Sequence, residues 1–132
     1  MIMRVPRILL VDDDVAVARV LTAWLRRSGY DVMSAGSGQE AEALLDERLD
    51  ALVLDLRLPG MRGDAFYYLA SARQPWLATR TLFLTGDISL QAEELIGVTG
   101  CPYLQKPFSL HEMLARVSAM APLPAQQIPR VG

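Results

Sequence analysis

The chain has 132 residues, 52% hydrophobic and 21% charged, with a formal net charge of −2. That length suits one domain able to bury a substantial core, and the composition excludes a largely disordered chain. There is no basic block to suggest direct nucleic-acid or anionic-membrane contact, the single Cys101 rules out an internal disulfide, and no apolar run approaches the roughly 18 residues of a membrane span.

The segment "RILLV" (7–11) reads as a buried strand and runs into three aspartates, Asp12, Asp13 and Asp14. From residue 15 to 27, Val17, Leu21, Trp24 and Leu25 share one helical face, and Gly29 closes the helix. "DVMSA" (31–35) is a weaker strand. Ser37 and Glu40 form a capping box that opens a helix carrying Ala41, Leu44 and Leu45 inward. "ALVLDL" (51–56) is a third strand, followed by a turn-rich loop, "RLPGMRG" (57–63). A helix is expected over 64–73, with Phe66, Leu69 and Ala70 inward. "TLFLT" (81–85) is a fourth strand. The next helix is expected to span only 89–96, because Gly97 and Gly100 interrupt it. "PYLQ" (102–105) is a fifth strand, and Ser109 and Glu112 open a last helix over 109–120. The domain is therefore expected over 1–120. The proline-rich remainder, 121–132, reads as a flexible tail or linker.

Five strand–helix units in succession imply an α/β fold, a parallel sheet covered by helices on both faces. Ligands in such sheets bind outside the carboxyl ends of the strands. Asp12 and Asp13 follow strand one, Asp55 closes the apolar run of strand three, Thr85 ends strand four, and Lys106 follows strand five. Lys106 is the only lysine among 13 basic residues. All these residues fall on one edge of the sheet. Two like charges 4 Å apart cost on the order of 4 kcal/mol at an effective dielectric near 20. A hard divalent cation removes that cost, and Mg²⁺, with Mn²⁺ as an alternative, suits an oxygen ligand set. Asp14 reads instead as the cap of the first helix. A carboxylate such as Asp55 can attack phosphorus to form an acyl phosphate. Lys106 and the Thr85 hydroxyl are the groups available to balance its charge.

With "LLVDDD", "LVLDLRLPGMRG", "FLTGD" and "YLQKPF" in that order, the chain resembles the receiver domains of two-component response regulators over about residues 5–120. The resemblance implies a flavodoxin-like sheet of order 2-1-3-4-5 with five helices. It makes Asp55 the phosphoacceptor and has Asp12, Asp13, Asp55 and the Arg57 backbone carbonyl hold Mg²⁺. Thr85 and Lys106 would contact the phosphoryl group. Thr85 and Tyr103 would act as the switch pair, and the Lys106–Pro107 bond would be cis. It further implies a histidine kinase or histidine phosphotransfer protein as donor, a surface of helix 4, strand 5 and helix 5 that changes on phosphorylation, and a homodimer as an open alternative. Direct nucleic-acid and membrane contacts are not expected, and the compartment is the cytoplasm. Arg57 and Asp87 are expected to pair across the pocket mouth and restrict water.

Two alternatives compete. A phosphatase of the haloacid dehalogenase type would use Asp12 as nucleophile, but it needs late acidic metal ligands and leaves Asp55 idle. A pseudo-receiver would keep the fold without phosphorylation, which sits poorly with intact Asp12, Asp13, Asp55, Thr85 and Lys106. His111, Cys101 and Trp76 read as surface, loop and packing residues.

Overall fold

The structure, a computed structural model, describes residues 4–86 and 89–124. Five parallel strands, β1 (Arg7–Val11), β2 (Asp31–Ala35), β3 (Ala51–Asp55), β4 (Thr81–Thr85) and β5 (Tyr103–Gln105), form one sheet in the order β2-β1-β3-β4-β5. The helices are α1 (Val15–Arg27), α2 (Gly38–Ala43), α3 (Gly63–Arg73), α4 (Leu90–Thr99) and α5 (Leu110–Met120). Short 3₁₀ turns at Leu44–Asp46 and Pro75–Thr79 extend α2 and follow α3.

Strand alternation divides the core into two layers. Ile8, Leu10, Val53, Leu82 and Leu84 face Leu21 and Leu25 of α1 and Met113 and Val117 of α5. Leu9, Val11, Leu52, Leu54 and Phe83 face Ala41 of α2, Phe66 and Ala70 of α3, and Ala92 and Ile96 of α4. All five residues of β3 and of β4 are buried, as central parallel strands require. Fully burying one such side chain contributes about 1.5–3 kcal/mol, so the paired layers fix the strand register that sets the site.

Two boundaries differ from the sequence expectation by more than one residue. Helix α4 continues through Gly97 to Thr99 and stops at Gly100, whose φ of 73° is the left-handed cap. No heavy atom stands within 4 Å of a Cβ built at Gly97, so its cost is only the weak propensity of glycine, about 1 kcal/mol, while Ala92 and Ile96 bury the helix's inner face. At the other end, packing continues past residue 120. The Tyr30 hydroxyl donates to the Ala121 carbonyl at 2.8 Å, Ala121 is buried, and Leu123 packs on the α1–α5 layer beside Gly29. The rest of the expected tail, 125–132, lies outside the described residues.

Candidate functional site

Strand pairing brings the polar residues together. Val11 pairs with Leu54, so Asp12 comes level with Asp55, one step beyond the last apolar pair. The Asp12 amide still donates to the Ala35 carbonyl at 3.1 Å, holding the chain extended as it leaves β1. The three consecutive aspartates then take three different environments. Asp12 is buried, and its Oδ1 accepts the Asp14 amide at 2.9 Å. Asp14 caps α1, its Oδ1 accepting the amides of Ala16 and Val17 at 3.0 and 3.2 Å. Asp13 is exposed. One carboxylate oxygen from each of Asp12, Asp13 and Asp55 lies within 4.8 Å of the other two.

Lys106 is the counter-charge. Its backbone amide donates to the Thr85 carbonyl at 2.7 Å, continuing the β4–β5 ladder, and the following peptide bond to Pro107 is cis. From there Nζ donates to Asp55 Oδ2 at 2.8 Å and to Asp12 Oδ2 at 3.0 Å. The other Asp55 oxygen, Oδ1, accepts the Arg57 amide at 3.0 Å, which folds the start of the β3–α3 loop against the carboxylate.

Burial pushes the Asp55 carboxyl above its ordinary value. The Lys106 hydrogen bond, the Arg57 amide and the Lys106 charge oppose that rise, and the nearby Asp12 charge adds to it. For Lys106, burial pulls downward, but the hydrogen bonds and charges of Asp55 and Asp12 outweigh it and the ammonium sits above its ordinary value. Among the described residues, Asp12, Asp13 and Asp55 bring three carboxylates to a partly buried pocket, two of them hydrogen-bonded to the Lys106 ammonium. All the donors are carboxylate oxygens, the set a hard divalent cation prefers. The site therefore fits Mg²⁺ on its own chemistry.

The remaining expected residues divide. Thr85 is buried at the end of β4, next to Leu84, which pairs with Asp55. Tyr103 opens β5 with its side chain exposed, outside the acidic pocket. Arg57 is tied to Asp55 through its backbone, whereas Asp87, its expected partner, lies outside the described residues. His111 is exposed and meets the edge of Trp24, with ring centroids 5.5 Å apart. Cys101 is half-buried near the Ala78 carbonyl. Trp76 lies in the turn after α3, and its indole N–H donates to the Leu49 carbonyl at 2.7 Å.

One residue of the site was missed at the sequence level. Gly63 reads there as a loop glycine, yet it starts α3 directly against Asp55. Its amide donates to the Leu56 carbonyl at 2.8 Å, and a side-chain carbon at this position would overlap the Asp55 carbonyl oxygen. The only available signal was a glycine at the end of a turn-rich loop, which does not reveal what packs beneath it.

The pocket sits on the strand edge where doubly wound sheets bind ligands, and known proteins share the fold that builds this edge. The response regulator receiver domain matches residues 8–118. The transcriptional regulatory protein TrcR of Mycobacterium tuberculosis is 38% identical over 135 residues, covering 96% of this chain and 51% of TrcR, so the chain spans about half the length of that relative. A CheY-like receiver domain protein from Methanospirillum hungatei superposes with a TM-score of 0.81 at 27% identity, over 88% of this chain and 93% of that one. A response regulator from Burkholderia pseudomallei, solved with a phosphorylated aspartic acid, a calcium ion and citrate, is similar at 30% identity and a TM-score of 0.76, over 85% of this chain and 66% of that one. Sequence match and sheet topology agree, and this chain belongs to the response regulator receiver domain family.

Proposed function

We propose that this receiver domain accepts a phosphoryl group on Asp55 and uses the added charge to signal. The observation that carries the reading is the double hydrogen bond of Lys106 Nζ to Asp55 and Asp12, beside an oxygen cluster completed by Asp13. Asp12, Asp13 and Asp55, joined by the Arg57 backbone carbonyl, would hold Mg²⁺. Bound there, the ion supplies charge neutralisation for the carboxylates and the incoming phosphoryl oxygens.

In the reaction, an Asp55 carboxylate oxygen attacks phosphorus and a P–O bond forms. The bond from phosphorus to the donor's histidine nitrogen breaks, and the departing imidazole keeps the electron pair and takes up a proton. Lys106 follows the negative charge from the carboxylate to the phosphoryl oxygens, a short move for a flexible ammonium. The donor is a histidine kinase or a histidine phosphotransfer protein. The domain passes through phosphorylation and dephosphorylation of its own side chain and does not turn over an external substrate.

The phosphoryl group adds about −1.5 to −2 of charge. The Thr85 hydroxyl donates to it and moves inward, and Tyr103 turns from its exposed position into the space released. The result is a population shift in the α4–β5–α5 surface, which a second copy or an output partner then reads. TrcR is named as a transcriptional regulator and is about twice as long, which supports an output carried outside these residues. No described helix is long and apolar enough to cross a membrane, and a cytoplasmic setting suits a kinase-fed signalling domain.

Acetyl phosphate with Mg²⁺ tests this reading by mass spectrometry of the intact protein. One added phosphoryl group is expected, absent in Asp55→Asn. Labelling that survives Asp55→Asn would overturn the assignment. Continuous release of phosphate without a labelled protein would favour a phosphatase, and no reaction at all a pseudo-receiver.

A further inference from the structure

A groove of about 540 Å³ runs between α1 and the edge strand β2. Arg19, Thr22 and Arg26 lie three and four residues apart and share the face of α1 that forms one wall. Ser34 stands across from them: it lies two residues after Val32 on β2, so it shares the sheet face that Val32 buries in the α1 layer. Glu40 and Asp12 line the end of the groove at the carboxyl end of β2, where the Gly36 amide donates to Glu40 Oε2 at 3.0 Å and the Asp12 amide to the Ala35 carbonyl at 3.1 Å. We propose that the groove binds a small organic phosphate, its phosphoryl head between Arg19, Thr22, Arg26 and Ser34 and its body along Val15, Ala18 and Ala35.

Four observations select that ligand. First, the acidic end of the groove is satisfied within the chain: both Asp12 oxygens and Glu40 Oε2 already accept hydrogen bonds. Second, the basic end is not. Among the described residues the Arg19 guanidinium has no hydrogen-bond or ion-pair partner, although Glu40 lines the same groove. Arg26 Nη2 donates to the Val32 carbonyl at 3.0 Å, which holds that guanidinium against β2 and uses one of its five N–H groups. Third, the Thr22 hydroxyl is buried at the groove wall without a hydrogen-bond partner among the described residues. A turn about its one side-chain torsion to meet an anion therefore costs no bond within the protein, and burial without a partner is the expensive state. Fourth, the volume and the mixture of apolar wall with a few convergent polar groups are those of a small-molecule site. Two guanidinium groups and two hydroxyls are all donors, and a phosphoryl head offers them three strong acceptor oxygens. Because Asp12 lines the far end, the bound molecule would stand beside a carboxylate of the acidic pocket.

This site does not depend on phosphorylation of Asp55, and its test avoids that reaction. The full 132-residue chain, labelled with ¹⁵N, is titrated with phenylphosphonate, whose carbon–phosphorus bond cannot donate a phosphoryl group. The buffer is free of Mg²⁺, so the three carboxylates of the acidic pocket disfavour an anion there. Saturable shifts of the Ala18, Thr22, Ser34 and Gly36 amides are expected, with none from benzyl alcohol. Arg19→Gln, and Thr22→Val, which keeps the side chain's shape, should each weaken binding about tenfold, the loss of one hydrogen bond to a charged group. Arg116→Gln, which removes the same charge from the exposed side of α5, should not weaken it. Groove amides that stay fixed, shifts centred on Asp55 and Lys106 instead, or equal weakening by Arg116→Gln each overturn the proposal. Inorganic phosphate binding as tightly as phenylphosphonate also overturns it, by showing that the groove takes no organic body.

Discussion

Gly63 lies directly against the backbone of Asp55: a side-chain carbon at position 63 would overlap the Asp55 carbonyl oxygen and stand 3.0 Å from Leu56 Cα. Backbone cannot yield as a side chain can. Gly63→Ala is therefore expected to destabilise the domain by about 1–3 kcal/mol and to displace Asp55. Gly60, four residues from the carboxylate's loop neighbour Leu56, offers the contrast. Its φ is 75° with no atom within 4 Å of a built Cβ, so Gly60→Ala should cost only the left-handed penalty, about 1–2 kcal/mol, and leave phosphorylation intact. Urea denaturation and acetyl phosphate labelling of both variants separate the two effects.

The three adjacent aspartates should respond differently to substitution. Asp14→Ala removes the α1 cap and is expected to cost about 1 kcal/mol of stability with labelling unchanged. Asp13→Asn, at an exposed position, should leave stability without metal near that of the parent but weaken Mg²⁺ binding. Thermal melts across a Mg²⁺ series read both. At 100 times the dissociation constant, the ion should add about 2.7 kcal/mol to the parent, with the midpoint of that gain moved to higher Mg²⁺ in Asp13→Asn.

Asp55 carries a pH dependence of definite sign. Burial holds its folded pKa above the unfolded value, so its contribution to stability is fully present below the unfolded pKa and is lost as pH rises through the folded one. Without divalent cations, Asp55→Asn should therefore be more stable than the parent at neutral pH, with the gap closing as pH falls towards the ordinary carboxyl range. Paired denaturation curves at a series of pH values check this, and a gap that widens on acidification would contradict it.

Ala121 and Leu123 belong to the packed domain. A chain ending at Met120 loses the nearer acceptor of the buried Tyr30 hydroxyl, keeping only Ser118 Oγ at 3.4 Å, and loses the apolar cover at Gly29. It is expected to be less stable by about 1–3 kcal/mol than one ending at Pro124, measured by the midpoint of chemical unfolding.

Some of this was legible because the sheet is parallel. A parallel strand buried on both faces writes itself as an unbroken apolar run, so the first polar residue after "ILLV" or "ALVL" marks the carboxyl edge. That is how Asp12, Asp55 and Thr85 could be placed together without coordinates. Helix ends were less legible. Gly97 looked like a terminator, but burial of Ala92 and Ile96 outweighs the propensity of one exposed glycine, and the helix stops only where Gly100 adopts a left-handed φ.

By itself, then, the sequence determined the alternation of elements, the sheet edge and the residues that meet there, because local periodicity and chain order are enough to specify them. Only the tertiary structure decided that Asp12 is buried and Asp13 exposed, that Lys106 spans Asp12 and Asp55, and that Gly63 must lack a side chain. These depend on contacts between residues up to 94 positions apart in the chain, and such contacts leave no periodic trace in either partner's neighbourhood.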